Sequence, residues 1–357
     1  MGANDLRKVA AAQDALGLNA AGQETVVRAA LLCVQHCPGF AVDQPAWVVD
    51  VDAVEQAQQL MGVLKAAYPA EHVCCWVGEQ GQQQHVPLAH LAQAWPGAGA
   101  LLYVPPLPLG ASLESFQDVV AHLRAPDGCP WDRKQTHESL RPYLLEETYE
   151  ALDALDAGDA QKMCEEFGDL LLQIMLHAQI ASEQGSFNLA QVSEGIYRKI
   201  VRRHPHVFGE VQVDGVGGVL QNWERLKAEE RAANGQAEKG MLDSVPVALP
   251  ALSLAQEYQS RAERVGLVSD WAAALEQVTQ ALQAVQPGQS AAFGALLFAV
   301  ARLARAGKLD AESVLREENR RFRARFRQLE HRARQTGQDL TSIAAQTLMD
   351  WWDEADE

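Results

Sequence analysis

Cysteine is sparse in this chain of 357 residues: Cys33, Cys37, Cys74, Cys75, Cys129 and Cys164 are the full set, and no two form a CxxC pair. That spacing excludes a disulfide framework and predicts reduced thiols in a cytoplasmic setting. Cys33-Val-Gln-His36-Cys37 is half of a zinc-ligand set, but no second half follows, so these side chains are expected to serve packing. Positive charge is also in deficit. Lys and Arg number 30 against 47 Asp and Glu, a formal charge of −17, which argues against a general binder of nucleic-acid backbones. A small polyphosphate can still be held through local cations and a metal. No apolar run is long enough to span a bilayer, and the N-terminus has no apolar signal core, so neither a membrane nor export is expected. What is present, 48% hydrophobic and 22% charged residues, is the composition of a soluble globular protein with room for two or three domains.

Residues 1–110 differ from the rest. After helical stretches near the N-terminus, AWVVDV (46–51) reads as a strand, 54–68 as a helix, and 72–78 and 99–106 as further strands. This small α/β unit has no glycine-rich phosphate loop and no catalytic cluster. Pro105, Pro106, Pro108 and Gly110 mark a linker, after which the pattern is helical. Residues 112–124 form an amphipathic helix, 125–137 a loop, and Pro142 is placed to start the next helix. Helices at 189–209 and 218–233 follow, then a polar linker at 234–240. The expected domains are 1–110, 111–235 and 246–357.

The stretch 144–177 concentrates acids: Glu147/Glu150 and Glu166/Asp169 are each spaced i,i+3 and so share a helix face. Asp156-Ala157-Gly158-Asp159 between them supplies a C-cap glycine and an N-cap aspartate, predicting an αα-hairpin. Glu150 and Glu166 are each eight residues from Gly158, and Glu147 and Asp169 each eleven. Folding antiparallel sets the four carboxylates at matching heights, roughly 12 to 16 Å from the turn. Such carboxylates repel unless protonated or neutralised, and their hard oxygens suit Mg²⁺ or Mn²⁺. Ordinary solvated helix acids are the competing explanation. The second helix opposes it, being apolar nearly all round at FGDLLLQIML, which predicts burial. The first does not, because Glu147 and Glu150 point away from its Leu145/Tyr149/Leu152 stripe.

A repeat lies further on. EEFGDLL (165–171) matches AAFGALL (291–297) at an offset of 126, which sets Ala273 opposite Glu147 and Glu276 opposite Glu150. The second copy keeps packing residues and loses three of four acids, so the acids of the first copy are expected to share a role. Arg198, Lys199, Arg202 and Arg203, leading into His204-Pro205-His206, form either a phosphate-binding edge or a solvated helix end. Trp131 and Trp223 are candidates to stack on a base, or core residues.

CPWDRKQTHESLRPYLLEETYEALDAL, EEFGDLLLQIMLHAQIA, KIVRRHPHVFG and NWERLKAEE, in that order over about 112–233, resemble the MazG family of nucleoside triphosphate pyrophosphohydrolases. Residues 246–357 resemble that family's second copy. The N-terminal region resembles, more weakly, the tail of a tetrapyrrole-methylase-like domain, chiefly in LLYVPPLPLGASLESF. The resemblance implies a mainly α protein: a duplicated all-α MazG-like bundle behind a small N-terminal α/β domain, usually a tight homodimer. It implies hydrolysis of NTP or dNTP to the monophosphate and pyrophosphate with Mg²⁺ (Mn²⁺ as the alternative), in nucleotide-pool house-cleaning. Carried over by motif, Glu147, Glu150, Glu166 and Asp169 are metal ligands, and Glu146 and Glu165 flank them as further ligands or as the base that orients water. Lys199, Arg202 and Arg203 would hold phosphates, with Trp131, Gln135, Trp223 and Lys227 in the nucleotide pocket. The departure is the second copy, where Ala273, Ala291, Ala292 and Ala295 replace acids and Glu276 stands alone. Arg320, Arg321, Arg323 and Arg325 there are expected to serve dimerisation or metal-independent nucleotide contact. A di-iron bundle is disfavoured because Asp169 occupies the place of the histidine in a Glu-x-x-His motif. A catalytically silent nucleotide-binding scaffold, and hydrolysis of another polyphosphate such as an alarmone, remain as alternatives.

Overall fold

The computed structural model describes residues 3–16, 24–233, 240–267 and 270–355. They form two compact units, Met1–Ile196 and Tyr197–Glu357. The fold is mainly α, as expected, with 14 α-helices and one five-stranded sheet among the described residues.

The first unit opens with α1 (Ala3–Leu16), β1 (Thr25–Arg28), α2 (Ala29–Leu32), β2 (Ala46–Val51), α3 (Val54–Leu64), β3 (Val73–Val77), β4 (Gln83–Pro87) and β5 (Ala100–Val104). The sheet order is β1-β2-β5-β3-β4, antiparallel except for β1 beside β2. Alternate residues of one strand serve two cores, as the two-residue strand period requires. Val48, Trp76 and Leu102 pack with Leu60, Leu64 and Leu91 on one face; Trp47, Val49, Cys75 and Val77 pack with Val9 and Ala12 on the other. Helical and strand segments at 46–104 fall where the apolar runs predict. The two strands missed, β1 and β4, are the sheet's edges: one is four residues long and the other, QQHVP, is mostly exposed, so neither needs an apolar run. All six cysteines are free; Cys74 and Cys75 are buried, whereas Cys37 is exposed rather than packed.

The helical part begins with α4 (Leu113–Arg124), capped by Ser112, whose side chain accepts from the Ser115 amide. Next come α5 (His137–Ala157), α6 (Ala160–Glu183) and α7 (Leu189–Arg203). Arg124 closes the loop between α4 and α5: its Nε and Nη2 grip Glu183 at 2.9 and 2.7 Å, and Nη1 donates to the Asp132 and Gln135 carbonyls. Within that loop a Cβ on Gly128 would lie 2.1 Å from the His122 carbonyl oxygen, so only glycine fits. Pro142 does not start α5. The helix begins five residues earlier at a capping box of Thr136 and Ser139, because two reciprocal side-chain bonds outweigh a proline's preference for the first turn.

The second unit receives the end of α7 and contains α8 (Pro205–Phe208), α9 (Gly215–Ala233), α10 (Ala251–Glu263), α11 (Trp271–Gln283), α12 (Ser290–Ala306), α13 (Ala311–Gln335) and α14 (Ala345–Glu354). The helix expected over 189–209 therefore breaks at His204, before Pro205. The order α4–α5–α6–α7 recurs as α10–α11–α12–α13, with α5 and α11 ending 126 residues apart at Ala157 and Gln283. Buried Gln256 on α10 bonds the Ala301 and Leu309 carbonyls and the Ala311 amide, tying three helices around a small alanine core. The polar linker proposed at 234–240 lies outside the described residues except for Gly240.

Candidate active site

The hairpin of α5 and α6 forms as its turn residues dictate. Gly158 caps α5 in the left-handed conformation, φ 66°, and Asp159 caps α6 by accepting from the Gln161 and Lys162 amides. Antiparallel packing then brings one oxygen each of Glu147, Glu150 and Glu166 within 4.8 Å of one another. Asp169, one turn beyond Glu166, is half-buried and its charge acts on both Glu147 and Glu166. Glu146 and Glu165 are exposed at the flanks.

The cluster is electrostatically uncomfortable. Burial, followed by repulsion from Asp169, Glu150, Glu146 and Glu166, pushes the Glu147 carboxyl above its usual range. Glu166, 5% exposed, is pushed up by burial and by Glu150, while Lys162 Nζ, 3.9 Å away, pulls the other way. One ammonium at that distance does not balance this many carboxylates. Hard oxygens converging from two helices, with too little cation beside them, are suited to Mg²⁺ or Mn²⁺.

The face of α5 turned to α6 is not the one its apolar pattern suggests. Leu145 and Tyr149 are exposed, whereas Leu140, Ala151 and Ala154 are buried on the same face as Glu147. Alanines at the seam let the two backbones approach closely enough for carboxylates on facing helices to meet. On α6, burial is one-sided: Gln173, Met175 and Leu176 are buried, but Phe167 and Ile174 are exposed.

Trp131 lies in the loop before α5, 53% exposed, its ring edge-on to Tyr143 at 6.1 Å. Tyr143 precedes Glu147 by one helical turn, which sets Trp131 beside the acid-bearing face. Gln135 donates to the Trp131 carbonyl and accepts from Ser139, linking that tryptophan to the start of α5. Further along the seam, His137 and His177 face each other with their Nδ1 atoms 2.8 Å apart and rings parallel to within 2°. Burial, then His137, lowers the His177 pKa. The two partners are 40 residues apart, so no local spacing in the sequence marks the pair.

The remaining candidates lie in the second unit. Arg202 and Arg203, at the end of α7, both bond the Glu230 carboxylate of α9. The Arg203 hydrogen bond, reinforced by Arg202, lowers the Glu230 carboxyl to about 2. Trp223 has the Arg203 guanidinium 5.4 Å and the Lys227 ammonium 4.6 Å from its ring centroid, a cation–π arrangement. Lys199 is exposed on α7. In the second hairpin, Ala273 and Glu276 lie on α11 and Ala291, Ala292 and Ala295 on α12, so the carboxylate cluster has no counterpart there. Arg320 and Arg321 pair with Glu317, and Arg325 lies over the Trp352 ring at 4.1 Å.

The first hairpin thus carries opposed carboxylate pairs of a kind that can hold a hard divalent cation, and comparison with known proteins gives the family. Residues 135–208 match the MazG nucleotide pyrophosphohydrolase domain. The chain is 37% identical over 254 residues to the nucleoside triphosphate pyrophosphohydrolase/pyrophosphatase MazG of Thermotoga maritima, covering 69% of this chain and 96% of that one. It is 38% identical to the Escherichia coli K12 nucleoside triphosphate pyrophosphohydrolase, covering 67% and 95% respectively. An uncharacterized Bacillus subtilis protein, YabN, is 41% identical over 270 residues, 72% of this chain, and the chain spans 55% of YabN's length. The chain belongs to the MazG family of nucleoside triphosphate pyrophosphohydrolases.

Proposed function

We propose that this protein hydrolyses nucleoside triphosphates, ribo or deoxy, to the monophosphate and pyrophosphate, using Mg²⁺ held by the α5–α6 hairpin. The observation that carries this is the convergence of Glu147, Glu150 and Glu166 within 4.8 Å at the seam of two helices. Those three, with Asp169, would hold the ion, which would offset the charge of carboxylates and triphosphate and lower the pKa of the attacking water.

The chain's own groups divide the rest of the work. Glu146 or Glu165, exposed beside the cluster, orients the water and takes its proton. The water oxygen adds to the α-phosphorus, the bond from that phosphorus to the α–β bridging oxygen breaks, and pyrophosphate leaves with the electron pair. In the second unit, Arg202, Arg203 and Lys199 offer cations suited to phosphate oxygens. Trp131 and Gln135 hold the nucleoside. Such a reaction suits clearance of unwanted nucleotides in the cytoplasm. Exposed apolar residues on α5 and α7, among them Tyr149, Val192 and Ile196, support a homodimer.

The test is release of pyrophosphate and phosphate from canonical, deoxy and modified NTPs with Mg²⁺, with Mn²⁺ and with EDTA. Pyrophosphate and monophosphate in equal amounts, only with metal, are expected. No release from any substrate by folded protein would overturn the proposal in favour of a silent nucleotide-binding scaffold.

A further inference from the structure

Arg202 and Arg203 are neighbours on a helix, so their side chains leave it about 100° apart and have no reason to meet. Here they do. Glu230 Oε1 accepts from Arg202 Nε at 2.9 Å and Arg203 Nε at 3.1 Å, and Oε2 from Arg203 Nη2 at 2.6 Å. Glu230 is on α9 with Trp223 and Lys227, spaced i, i+4, i+7, which is one face of that helix. The Arg203 side chain and the Glu230 carboxylate are both largely shielded, 15% and 14% exposed, whereas Arg202 reaches out to 56%.

We propose that Glu230 is a positioning residue: its carboxylate gathers Arg202 and Arg203 into one cationic edge, beside Trp223 and Lys227, that grips substrate phosphates. This rests on the polyphosphate reading given above. A carboxylate taken in two-point contact by a guanidinium sets the orientation of the planar fork, and the orientation of the fork decides which phosphate oxygens it meets. Holding the forks in advance also removes part of the ordering that binding would otherwise require.

The test is calorimetric titration of inorganic tripolyphosphate with Mg²⁺ into the full-length protein, alongside NTP kinetics, for wild type, Glu230→Ala, Glu230→Gln, Arg203→Ala and the Arg203→Ala/Glu230→Ala pair. Glu230→Ala is expected to weaken tripolyphosphate binding and raise KM by about tenfold, the usual loss when a supporting partner is removed, with a much smaller change in kcat. Glu230→Gln, which keeps one accepting oxygen without the charge, should fall between. Because Glu230 acts through Arg203, the double variant should be less impaired than the product of the two single effects. Wild-type affinity in folded Glu230→Gln and Glu230→Ala, or a double variant whose losses multiply fully, would overturn the proposal. Should Glu230→Ala fail to fold, Glu230→Gln alone decides by the same two readouts. Wild type that binds tripolyphosphate in a Glu230-dependent way yet hydrolyses no NTP would support this inference while overturning the hydrolase reading.

Discussion

Glu166 is buried in a helix seam with other carboxylates and has a lysine 3.9 Å away. Its pKa and that of Glu147 are raised above the ordinary value, so the folded chain holds protons there more tightly than the unfolded chain does. Their contribution to stability is therefore present at acid pH and lost as pH rises from the unfolded value near 4.5 through the raised one. The metal-free protein carries the penalty wherever both groups are ionised. Glu166→Gln is accordingly expected to raise the thermal midpoint measured in EDTA and to erase the further rise that Mg²⁺ gives wild type. The same substitution, like Glu150→Gln or Asp169→Asn, should cut turnover at least about a hundredfold, near 3 kcal/mol at the barrier, with an unchanged far-ultraviolet spectrum. Near-normal rates in all three would remove the site assignment. His177 runs the other way. Its pKa is lowered by burial and by His137, so its contribution is complete above the unfolded value near 6.5 and is lost as pH falls towards the folded one. Denaturation of wild type and His177→Phe across pH 5 to 8 should show the steeper loss on acidification in wild type.

At the scale of elements, the hairpin stands on its turn and its seam. Gly158 has φ 66° and nothing within 4 Å of where a Cβ would be, so Gly158→Ala meets only the backbone cost, about 1 kcal/mol. Asp159→Ala, which removes two accepted hydrogen bonds, should cost about 1 kcal/mol as well. Both are checked by urea unfolding. Ala154 has no exposed surface and shares the face of α5 that carries Glu147. Ala154→Leu is expected to destabilise by about 1–3 kcal/mol and to weaken Mg²⁺ binding by spreading the carboxylates. Much of this was legible beforehand: the Gly-Asp punctuation and the matched distances of the acids from it predicted the pairing across the turn. The inward face of α5 was not legible. Leu145 and Tyr149 outweigh Ala151 and Ala154 in any hydrophobic count, yet close helix approach selects small side chains over large ones.

For the whole molecule, the informative feature is a repeated helix order in which one hairpin keeps its acids and the other does not. Glu276, the lone acid of the second set, is expected to be dispensable: Glu276→Gln should leave kcat/KM for NTP within about twofold, 0.4 kcal/mol, of wild type. A hundredfold loss would show that the second hairpin takes part in the chemistry. Deleting residues 246–357 asks whether that copy has any role, since unchanged oligomer size and unchanged kinetics would leave it none. Arg320, Arg321 and Arg325, expected from the sequence to be available for contacts, are engaged within their own unit by Glu317, Glu318 and Trp352.

The sequence by itself determined which segments are helical, where the hairpin turns, and which carboxylates share a helix face, because turn chemistry and the 3.6-residue period are local. It also carried the family in its ordered motifs. Tertiary structure alone decided that Arg202 and Arg203 meet on Glu230, that His137 meets His177, and that the alanine side of α5 is the inner one. Each of these joins residues on different helices, and which residues meet across a seam depends on how closely and at what rotation two helices pack, a property of both surfaces together.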